Sequence, residues 1–307
     1  MTKVFIDGSA GTTGLRIWER LSNRSDISLI RLPEELRKDI SARRDAINSA
    51  DIAFLCLPDA AAVEAVSFID NPDTAVIDTS TAHRTASGWD YGFPELSGQR
   101  EKISVSKRVA NPGCHASGFV ALVEPLIKCG LVDKNENLNC VSLTGYSGGG
   151  KKMIAEYEGA EISPLLAAPR MYGLSQQHKH LKEMVSVCSL SAAPIFCPIV
   201  APFYSGMEVT VSLFAHQLKG DLEQVRECYR EYYKNGLVHF CDSADEEGFL
   251  SAGLLSGRDD MQITVCGNDE RILLVSRFDN LGKGASGAAI QNMNILIGTD
   301  EKTGLVL

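Results

Sequence analysis

The 307-residue sequence lacks three features that mark large classes of protein. It has no run of about 18 apolar residues, so we expect no membrane-spanning helix and no membrane partner. Its nine cysteines show no CxxC spacing, which argues against a zinc cluster, and their odd number argues against a disulfide framework. Acidic residues outnumber basic ones: the chain has 39 Asp and Glu and 30 Lys and Arg, and its net charge is −9. This balance offers no general attraction to nucleic acid.

The composition that is present fits a globular protein of two domains. Hydrophobic residues make up 44% of the chain and charged residues 22%, and about 150 residues per domain is usual. No internal repeat or low-complexity tract is visible. Asp7 interrupts the first apolar run too early for a signal peptide. Together with the odd number of scattered cysteines, which argues for reduced thiols, this predicts a cytoplasmic protein.

Strands and helices alternate in the first third of the chain. The predicted strands cover residues 2–7, 27–30, 51–57 and 74–78, and the predicted helices cover 15–21 and 60–68. This alternation predicts an α/β domain with a doubly wound parallel sheet. Later strands at 207–214 and 261–265 instead alternate apolar and polar residues, which is typical of a mixed or antiparallel sheet. The second part of the chain is therefore expected to be α+β.

A glycine-rich turn directly follows the first strand and begins a helix, as a dinucleotide site requires. Its residues are Gly8, Ser9, Ala10, Gly11, Thr12, Thr13 and Gly14. Glycines let the backbone approach a pyrophosphate, whose charge then meets the helix N-terminus. The spacing departs from GxGxxG, so a turn that binds nothing is the alternative. Arg31 ends the second strand and favours the 2′-phosphate of NADP, although Glu34 and Glu35 follow closely.

Cys114 is the cysteine whose surroundings favour a nucleophile. It follows the turn Asn111-Pro112-Gly113 and precedes a helix predicted over 119–128. The backbone N–H groups at a helix N-terminus lower a thiol pKa and favour the thiolate. The other eight cysteines are interpreted as small hydrophobic residues. A buried, inert Cys114 is the alternative from spacing alone.

The segment His178-Lys179-His180 is the best source of a proton-transfer partner for a nucleophilic cysteine. Glu183 lies three residues beyond His180. If the segment is extended, both imidazoles project to one face, whereas in a helix they diverge. Only one of them could then face the thiol.

The remaining histidines carry weaker indications. His115 follows Cys114 directly, but neighbouring residues on a helix do not face each other. His83, His216 and His239 are expected to be solvated or hydrogen-bonded. No third ligand of suitable spacing joins the His-x-His pair, so no metal is expected.

Several other polar residues are candidates for holding an anion or the cofactor. Arg84 follows a strand of the parallel sheet and could clamp an anion with two hydrogen bonds, with Ser80 as a further donor. A second glycine-rich, basic loop over 147–152 suits a phosphate or a carboxylate. Asn280 could pair with a nicotinamide carboxamide. Solvent-facing side chains and plain loops are the alternatives for all of these.

Taken together, these segments resemble the short form of N-acetyl-gamma-glutamyl-phosphate reductase, within the aspartate-semialdehyde dehydrogenase group. The resemblance covers nearly the whole chain and rests on residues 8–14, 80–84, 91–96, 111–114, 145–152, 178–183 and 279–285. The longer form has Cys-Tyr-Pro-Thr where residues 114–117 read Cys-His-Ala-Ser, and usually Pro at the position of Lys182. These departures favour the short subgroup.

The resemblance implies a Rossmann-type doubly wound parallel sheet plus an α+β domain like that of glyceraldehyde-3-phosphate dehydrogenase. Residues 1–113, completed by a C-terminal helix in 285–307, are expected to bind NAD(P). Residues 114–284 are expected to form the catalytic and oligomerisation domain. By analogy, a homodimer or homotetramer is expected.

The resemblance also implies the reversible, NADPH-dependent reduction of N-acetylglutamyl 5-phosphate to the semialdehyde, with release of inorganic phosphate, in arginine synthesis. The Cys114 thiolate attacks the acyl phosphate, and hydride from NADPH reduces the resulting thioester. We favour His180 for proton transfer, with His178 near the substrate. The residues expected to bind substrate are Arg84, Ser80, Ser147, Gly148, Lys151 and Glu183. Those expected to bind NADP are Gly8, Ser9, Gly11, Thr12, Thr13, Gly14, Arg31, Pro58, Ser80, Asn280 and Lys283.

Three alternatives remain at this point. An aspartate-semialdehyde dehydrogenase would use the same chemistry on a shorter substrate with a free amine. A reductase of a carrier-bound acyl phosphate is a second possibility. A non-catalytic NADP-binding sensor is the alternative of another class, and the combination of Cys114 with His178 and His180 disfavours it, because a sensor needs no activated thiol.

Overall fold

The computed structural model describes all 307 residues, Met1–Leu307, and the chain divides into two units. The N-terminal unit consists of Met1–Pro112 and Ala285–Leu305, and the central unit consists of Gly113–Gly284 and Val306–Leu307. The units differ from the predicted domains in Gly113 and in the last two residues. The backbone N–H of Gly113 donates to Glu183 and that of Val306 donates to Asp259. Both segments are therefore bonded to residues of the central unit.

The N-terminal unit contains one all-parallel sheet. Its strands are β1 (Thr2–Asp7), β2 (Ile27–Ile30), β3 (Ile52–Leu55), β4 (Ala75–Asp78), β5 (Asp90–Tyr91) and β6 (Arg108–Ala110). They pair in the order β2-β1-β3-β4-β6-β5, which confirms the doubly wound prediction. The order reverses beside β1, and ligands bind at the carboxyl ends of strands at such a reversal.

Helices cover both faces of this sheet. They are α1 (Thr12–Leu21), α2 (Ile40–Ser49), α3 (Asp59–Val66), α4 (Gln99–Val105) and the last helix of the chain (Gly287–Leu296). Val4 and Ile6 of β1 pack in one core with α1, α4 and the last helix, while Phe5 packs in another with α2 and α3. Alternate residues of one strand thus serve opposite faces, as expected for a strand buried on both sides.

The central unit contains a mixed sheet of seven strands. They are β7 (Asn139–Gly145), β8 (Arg170–Met171), β9 (Ile195–Ala201), β10 (Met207–Phe214), β11 (Val238–Phe240), β12 (Met261–Gly267) and β13 (Arg271–Phe278). The order is β11-β12-β13-β10-β7-β9-β8. The pairs β7–β9 and β11–β12 are parallel and the others antiparallel, so the prediction of a mixed sheet is confirmed.

Four helices belong to the central unit: α5 (Cys114–Lys128), α6 (Gly150–Glu158), α7 (His180–Cys188) and α8 (Leu222–Tyr232). The last helix of the chain is therefore α9. The sequence predicted that it begins at residue 285, but Gly282–Ser286 form a π-helical turn and the α-helix begins at Gly287. No helix in the structure has both the length and the apolar character needed to cross a membrane.

Helix α5 packs closely against the sheet of its unit. A Cβ at Gly118 would lie 2.5 Å from Cγ2 of Val209, so only glycine allows the observed approach. Pro125 has no N–H, which deprives the carbonyl of Ala121 of its donor within the helix. The Tyr233 hydroxyl donates to that carbonyl at 2.7 Å. The helix that begins at Cys114 is thereby fixed on the sheet.

Candidate active site

The glycine turn of the N-terminal unit needs glycine at two positions. Gly8 has a φ of +86°, and a Cβ there would lie 2.2 Å from the carbonyl oxygen of Cys56. A Cβ at Gly14 would lie 2.4 Å from the carbonyl oxygen of Gly8. Gly11 is the N-cap of α1, and neither a side-chain cap nor an acidic residue occupies the first turn, which contains Thr12 and Thr13. The N–H groups of this turn therefore suit an anion.

Further predicted cofactor residues follow neighbouring strands of the parallel sheet. Ser9 lies in the turn after β1, Arg31 directly follows β2, and Pro58 follows β3 as the N-cap of α3. The Arg31 side chain is exposed, and its guanidinium carbon lies 5.8 Å from the ring centroid of Trp18 in α1. Because carboxyl ends of parallel strands meet at one edge, these residues share the edge of the sheet that carries the glycine turn.

The segment after β4 is held by a buried carboxylate. Asp78 is fully buried and accepts hydrogen bonds from the backbone N–H of Ser80 at 2.9 Å and from its hydroxyl at 2.7 Å. The same carboxylate lies 2.6 Å from Nδ1 of His83, whose ring stacks on Trp89 at 4.1 Å. His83 is thus a hydrogen-bonded histidine, as expected.

Arg84 is bonded to the backbone rather than extended into solvent. Its Nε donates to the carbonyl of Asn111 at 2.9 Å and its Nη2 to the carbonyl of Thr79 at 3.0 Å. These bonds join the end of β4 to the turn after β6. The solvent-facing alternative is therefore wrong, and the role of Arg84 in binding an anion stays a prediction.

In the central unit, Cys114 is the first residue of α5. Gly113 is the N-cap in extended conformation, and the first turn contains no acidic residue. The backbone N–H of Gly113 donates to Oε1 of the buried Glu183 at 2.8 Å. A Cβ at Gly284 would lie 3.0 Å from the Cβ of Cys114, so the chain passes close to the thiol-bearing residue. Cys114 is half-buried at a helix N-terminus, a position that favours the thiolate.

His178 and His180 lie side by side, although the segment is not extended. Lys179 has helical φ and ψ and α7 begins at His180, yet the two imidazole centroids are 4.7 Å apart. The segment is neither extended nor helical throughout, so neither of the two predicted arrangements applies. His178 precedes the helix, and its Nδ1 accepts a hydrogen bond from the backbone N–H of His180 at 3.2 Å. This bond turns the ring of His178 back toward the helix start.

Three residues that the sequence did not indicate as site residues belong to this group: His115, Ser142 and Tyr172. The ring of His115 is buried, with its centroid 5.9 Å from that of His178 and 5.6 Å from that of His180. Its Nδ1 lies 2.6 Å from Oγ of Ser142, and its Nε2 lies 2.6 Å from Oη of Tyr172. Helix α5 is apolar on nearly all sides, so a histidine within it could have been predicted to be buried.

Burial determines the charge states of His115 and Tyr172. It lowers the pKa of His115 to about 3, and the charge of His178 acts in the same direction, so the ring is neutral at pH 7. Burial also raises the pKa of Tyr172 well above its usual value, and the negative charge of Cys114 contributes to this rise. The Tyr172 hydroxyl therefore stays protonated at pH 7.

The segment predicted as a basic loop at 147–152 is largely helical. A 3₁₀ turn at Tyr146–Gly149 leads into α6, and the positive φ of Gly150 allows the change. Gly148 lies in the 3₁₀ turn and Lys151 is exposed in the first turn of α6. The prediction of a loop over 147–152 is wrong, because Gly150 with its positive φ permits a helix to begin there.

Asn280 and Lys283 both lie in the central unit and are buried. The Asn280 Nδ2 donates to Oγ of Ser147 at 3.0 Å, and its Oδ1 accepts from the backbone N–H of Gly206 at 2.9 Å. Lys283 lies in the π-helical turn before α9. Pairing of Asn280 with a nicotinamide would have to use its second amide hydrogen, and both cofactor roles stay predictions.

The other cysteines lack the setting of Cys114. Burial raises the pKa of Cys56 to about 12 and also raises the pKa of Cys140 and of Cys188. Burial keeps these thiols protonated at pH 7, as expected for small hydrophobic residues. No group of three or more His, Cys, Asp or Glu side chains is arranged to hold a metal ion.

Comparison with known proteins places both parts of the chain in one superfamily. Residues 114–280 match the family described as semialdehyde dehydrogenase, dimerisation domain, and residues 33–105 match its NAD binding domain. The chain is 44% identical to N-acetyl-gamma-glutamyl-phosphate reductase 2 of Pseudomonas putida, with 96% of each chain covered. It is also 44% identical to the Nostoc sp. protein of the same name, with 99% of each chain covered.

Solved structures share the fold at low sequence identity. Aspartate semialdehyde dehydrogenase II of Vibrio cholerae, complexed with ASA, superposes with a TM-score of 0.73 at 16% identity over 97% of this chain and 98% of that one. Aspartate semialdehyde dehydrogenase of Candida albicans, with NADP, gives a TM-score of 0.69 at 19% identity over 97% and 98% of the two chains. This likeness supports the two-domain α/β fold.

Proposed function

The chain belongs to the N-acetyl-gamma-glutamyl-phosphate reductase family, and we propose that it carries out this family's reaction through a thioester on Cys114. The reaction is the reversible, NADPH-dependent reduction of N-acetylglutamyl 5-phosphate to N-acetylglutamate 5-semialdehyde, a step of arginine biosynthesis. The observation that carries the mechanism is the position of Cys114 at an uncapped helix N-terminus in the unit that holds the paired His178 and His180. We place the reaction in the cytoplasm, since none of the nine cysteines forms a disulfide.

The first chemical step is acyl transfer to sulfur. The Cys114 thiolate forms a bond to the acyl carbon of the substrate, and the bond from that carbon to the phosphate oxygen breaks, which releases inorganic phosphate. The backbone N–H groups of the first turn of α5 stabilise the thiolate before attack. NADPH, when bound, supplies the hydride that converts the thioester to the aldehyde.

We assign proton transfer to His180 and substrate contact to His178. Nδ1 of His178 accepts the backbone N–H of His180, so this ring is fixed beside the start of α7. Glu183 lies one turn after His180 on α7, and its carboxylate also accepts the N–H of Gly113. This carboxylate links the helix of the histidines to the residue before the nucleophile, so we propose that it positions both.

The N-terminal unit suits the cofactor at two points. The close approach of Gly8 and Gly14 leaves the first turn of α1 open to a pyrophosphate, with Ser9, Thr12 and Thr13 at its edge. Arg31, exposed beside Trp18, suits the 2′-phosphate that distinguishes NADP from NAD. We propose that these residues hold NADPH and that Arg84 and Lys151 contribute positive charge toward the substrate.

The outer face of the central sheet suits a second copy of the chain. Its exposed side chains include Met171, Ile195, Val141 and Leu273, which are 37% to 65% exposed. The register places Val141 beside Cys197 and Met171 beside Ile199, so these apolar residues share one face. Because this unit matches a dimerisation domain, we propose a homodimer through this face. Val141→Asp should then shift the mass measured by light scattering from dimer to monomer, and an unchanged mass would exclude this face.

The reverse reaction tests the proposed substrate. NADPH absorbance is followed with N-acetylglutamate semialdehyde, NADP and phosphate, and aspartate semialdehyde is tested in parallel. Phosphate-dependent turnover of the acetylated aldehyde, lost in Cys114→Ala and kept in Cys129→Ala, is expected, because Cys129 is exposed at the far end of α5. Turnover of aspartate semialdehyde alone would keep the mechanism and exclude the substrate. No turnover of either would favour an NADP-binding sensor.

A further inference from the structure

A buried row of three hydrogen-bonding side chains reaches the reaction centre of the central unit. Ser142 of β7 contacts Nδ1 of His115, and Nε2 of His115 contacts the hydroxyl of Tyr172, each at 2.6 Å. Ser142 is completely buried and His115 nearly so. His115 is the neighbour of Cys114 in α5, and the Tyr172 ring packs edge-on against His178 at 5.8 Å. The row therefore ends among the residues assigned to catalysis.

The direction of the hydrogen bonds follows from the serine. His115 Nδ1 is the one atom to which the Ser142 hydroxyl is hydrogen-bonded. If Nδ1 carried the proton and donated to Oγ, the serine O–H would be left without an acceptor in a fully buried place, which is costly. The hydroxyl therefore donates to Nδ1. A neutral imidazole then carries its proton on Nε2, and that N–H donates to Oη of Tyr172.

This direction leaves the tyrosine hydroxyl hydrogen without a protein acceptor. Oη of Tyr172 accepts from His115, and the tyrosine makes no other side-chain hydrogen bond. The phenol is bonded to His115, the residue that follows Cys114 in α5, and its ring packs against His178, so its hydroxyl lies among the residues assigned to the reaction. A hydroxyl in this group, with its oxygen held by the N–H of His115, is oriented to donate its hydrogen to a ligand.

We propose that Tyr172 donates a hydrogen bond to the oxyanion that forms when the Cys114 thiolate adds to the acyl carbon, and that His115 and Ser142 fix its direction. The inference rests on the proposed thioester mechanism. No proton leaves the tyrosine, since it stabilises the negative oxygen by a hydrogen bond and the phosphate then departs. Tyr172 is thus a catalytic residue, whereas His115 and Ser142 are positioning residues.

Kinetics test the tyrosine. Loss of an oxyanion donor acts on the transition state, so Tyr172→Phe should lower kcat about 100-fold with little change in KM. Tyr204→Phe removes a half-exposed tyrosine hydroxyl of the same unit and should leave both constants unchanged. Ser142→Ala should lower kcat less than Tyr172→Phe, and Ser142→Thr should restore it. Tyr172→Phe with wild-type kcat would overturn the proposal.

The histidine tautomer gives a readout that does not depend on turnover. Side-chain nitrogen-15 spectra of the full-length protein show six histidines, and His115→Asn identifies the resonances of His115. We expect His115 to be protonated on Nε2 alone at neutral pH, and also in Tyr172→Phe, because Ser142 sets the tautomer. Protonation on Nδ1, or a charged ring, would overturn the direction of the row. Absence of wild-type turnover would instead refute the proposed reaction, and the tautomer would still be measured.

Discussion

Replacement of Gly14 by alanine perturbs the glycine turn at a close contact with the backbone. The added Cβ would lie 2.4 Å from the carbonyl oxygen of Gly8 and 3.0 Å from Cα of Ser9. Both are backbone atoms, so no side-chain rotation relieves the overlap, and α1 must move away from the turn. Overpacking of this kind costs about 1–3 kcal/mol. We expect Gly14→Ala to lower the free energy of unfolding of the N-terminal unit by about that amount.

Gly11 offers a matched control in the same turn. A Cβ there would lie 3.4 Å from the carbonyl oxygen of Gly8, which is an ordinary contact, and its φ of −74° suits alanine. Gly11→Ala should therefore keep the wild-type stability without cofactor. It should nevertheless weaken NADPH binding if the pyrophosphate lies against this Cα, because the methyl group would meet the cofactor rather than the protein.

Tryptophan fluorescence measures the unfolding of the N-terminal unit. The two tryptophans of the chain, Trp18 and Trp89, both belong to the N-terminal unit, so urea unfolding followed by their emission reports on that unit alone. The same signal follows NADPH titration, where a loss of 1.4 kcal/mol corresponds to about tenfold weaker binding. A Gly14→Ala protein as stable as the wild type would refute the reasoning, as would equal destabilisation by Gly11→Ala.

Three further predictions concern single side chains. Arg31→Glu should lower kcat/KM for NADPH about 10- to 100-fold, which is the range of one charge-assisted hydrogen bond. The value of kcat/KM for NADH should not change, and equal losses with both cofactors would contradict the assignment. Arg84→Met removes the donors to the carbonyls of Asn111 and Thr79. It should lower the free energy of unfolding of the N-terminal unit by about 1–3 kcal/mol, measured by urea unfolding. An unchanged urea midpoint would show that these hydrogen bonds do not stabilise the unit. The pKa of His115, lowered to about 3, lies below its unfolded value of 6.5, so its contribution to stability is complete above pH 6.5 and is lost as the pH falls toward 3. By linkage the loss is about 2 kcal/mol at pH 5, so His115→Gln should flatten the fall in thermal stability between pH 6.5 and 5, and parallel curves would refute this.

Local hydrophobic patterns in the sequence predicted several of the longer strands correctly. The apolar run at 27–30 became β2 with the same bounds, and the alternating run at 207–214 became β10. The strands β5 and β8 are only two residues long and exist because longer neighbours pair with them, so no local pattern could indicate them. The fold class was therefore predictable, while the shortest strands were not.

The position of Cys114 at the start of a helix was predictable, and the surroundings of the candidate histidines were less so. The helix N-terminus at Cys114 follows from the turn before it, but the meeting of His178 and His180 depends on a bond between a ring nitrogen and the backbone. The neighbour rule predicts that His115 does not face Cys114 along the helix. It does not reveal that the His115 ring meets Tyr172 from another part of the chain. Contacts between distant segments arise from packing, which sequence spacing does not report.

The thioester on Cys114 is the central claim, and intact-protein mass spectrometry tests it most directly. The protein is mixed with N-acetylglutamyl phosphate, generated in place by a kinase, without NADPH, and is then quenched in acid. We predict a mass increase of one N-acetylglutamyl group, located by peptide mapping on Cys114 and absent from Cys114→Ala. No adduct, or an adduct on another cysteine with wild-type turnover intact, would contradict the account.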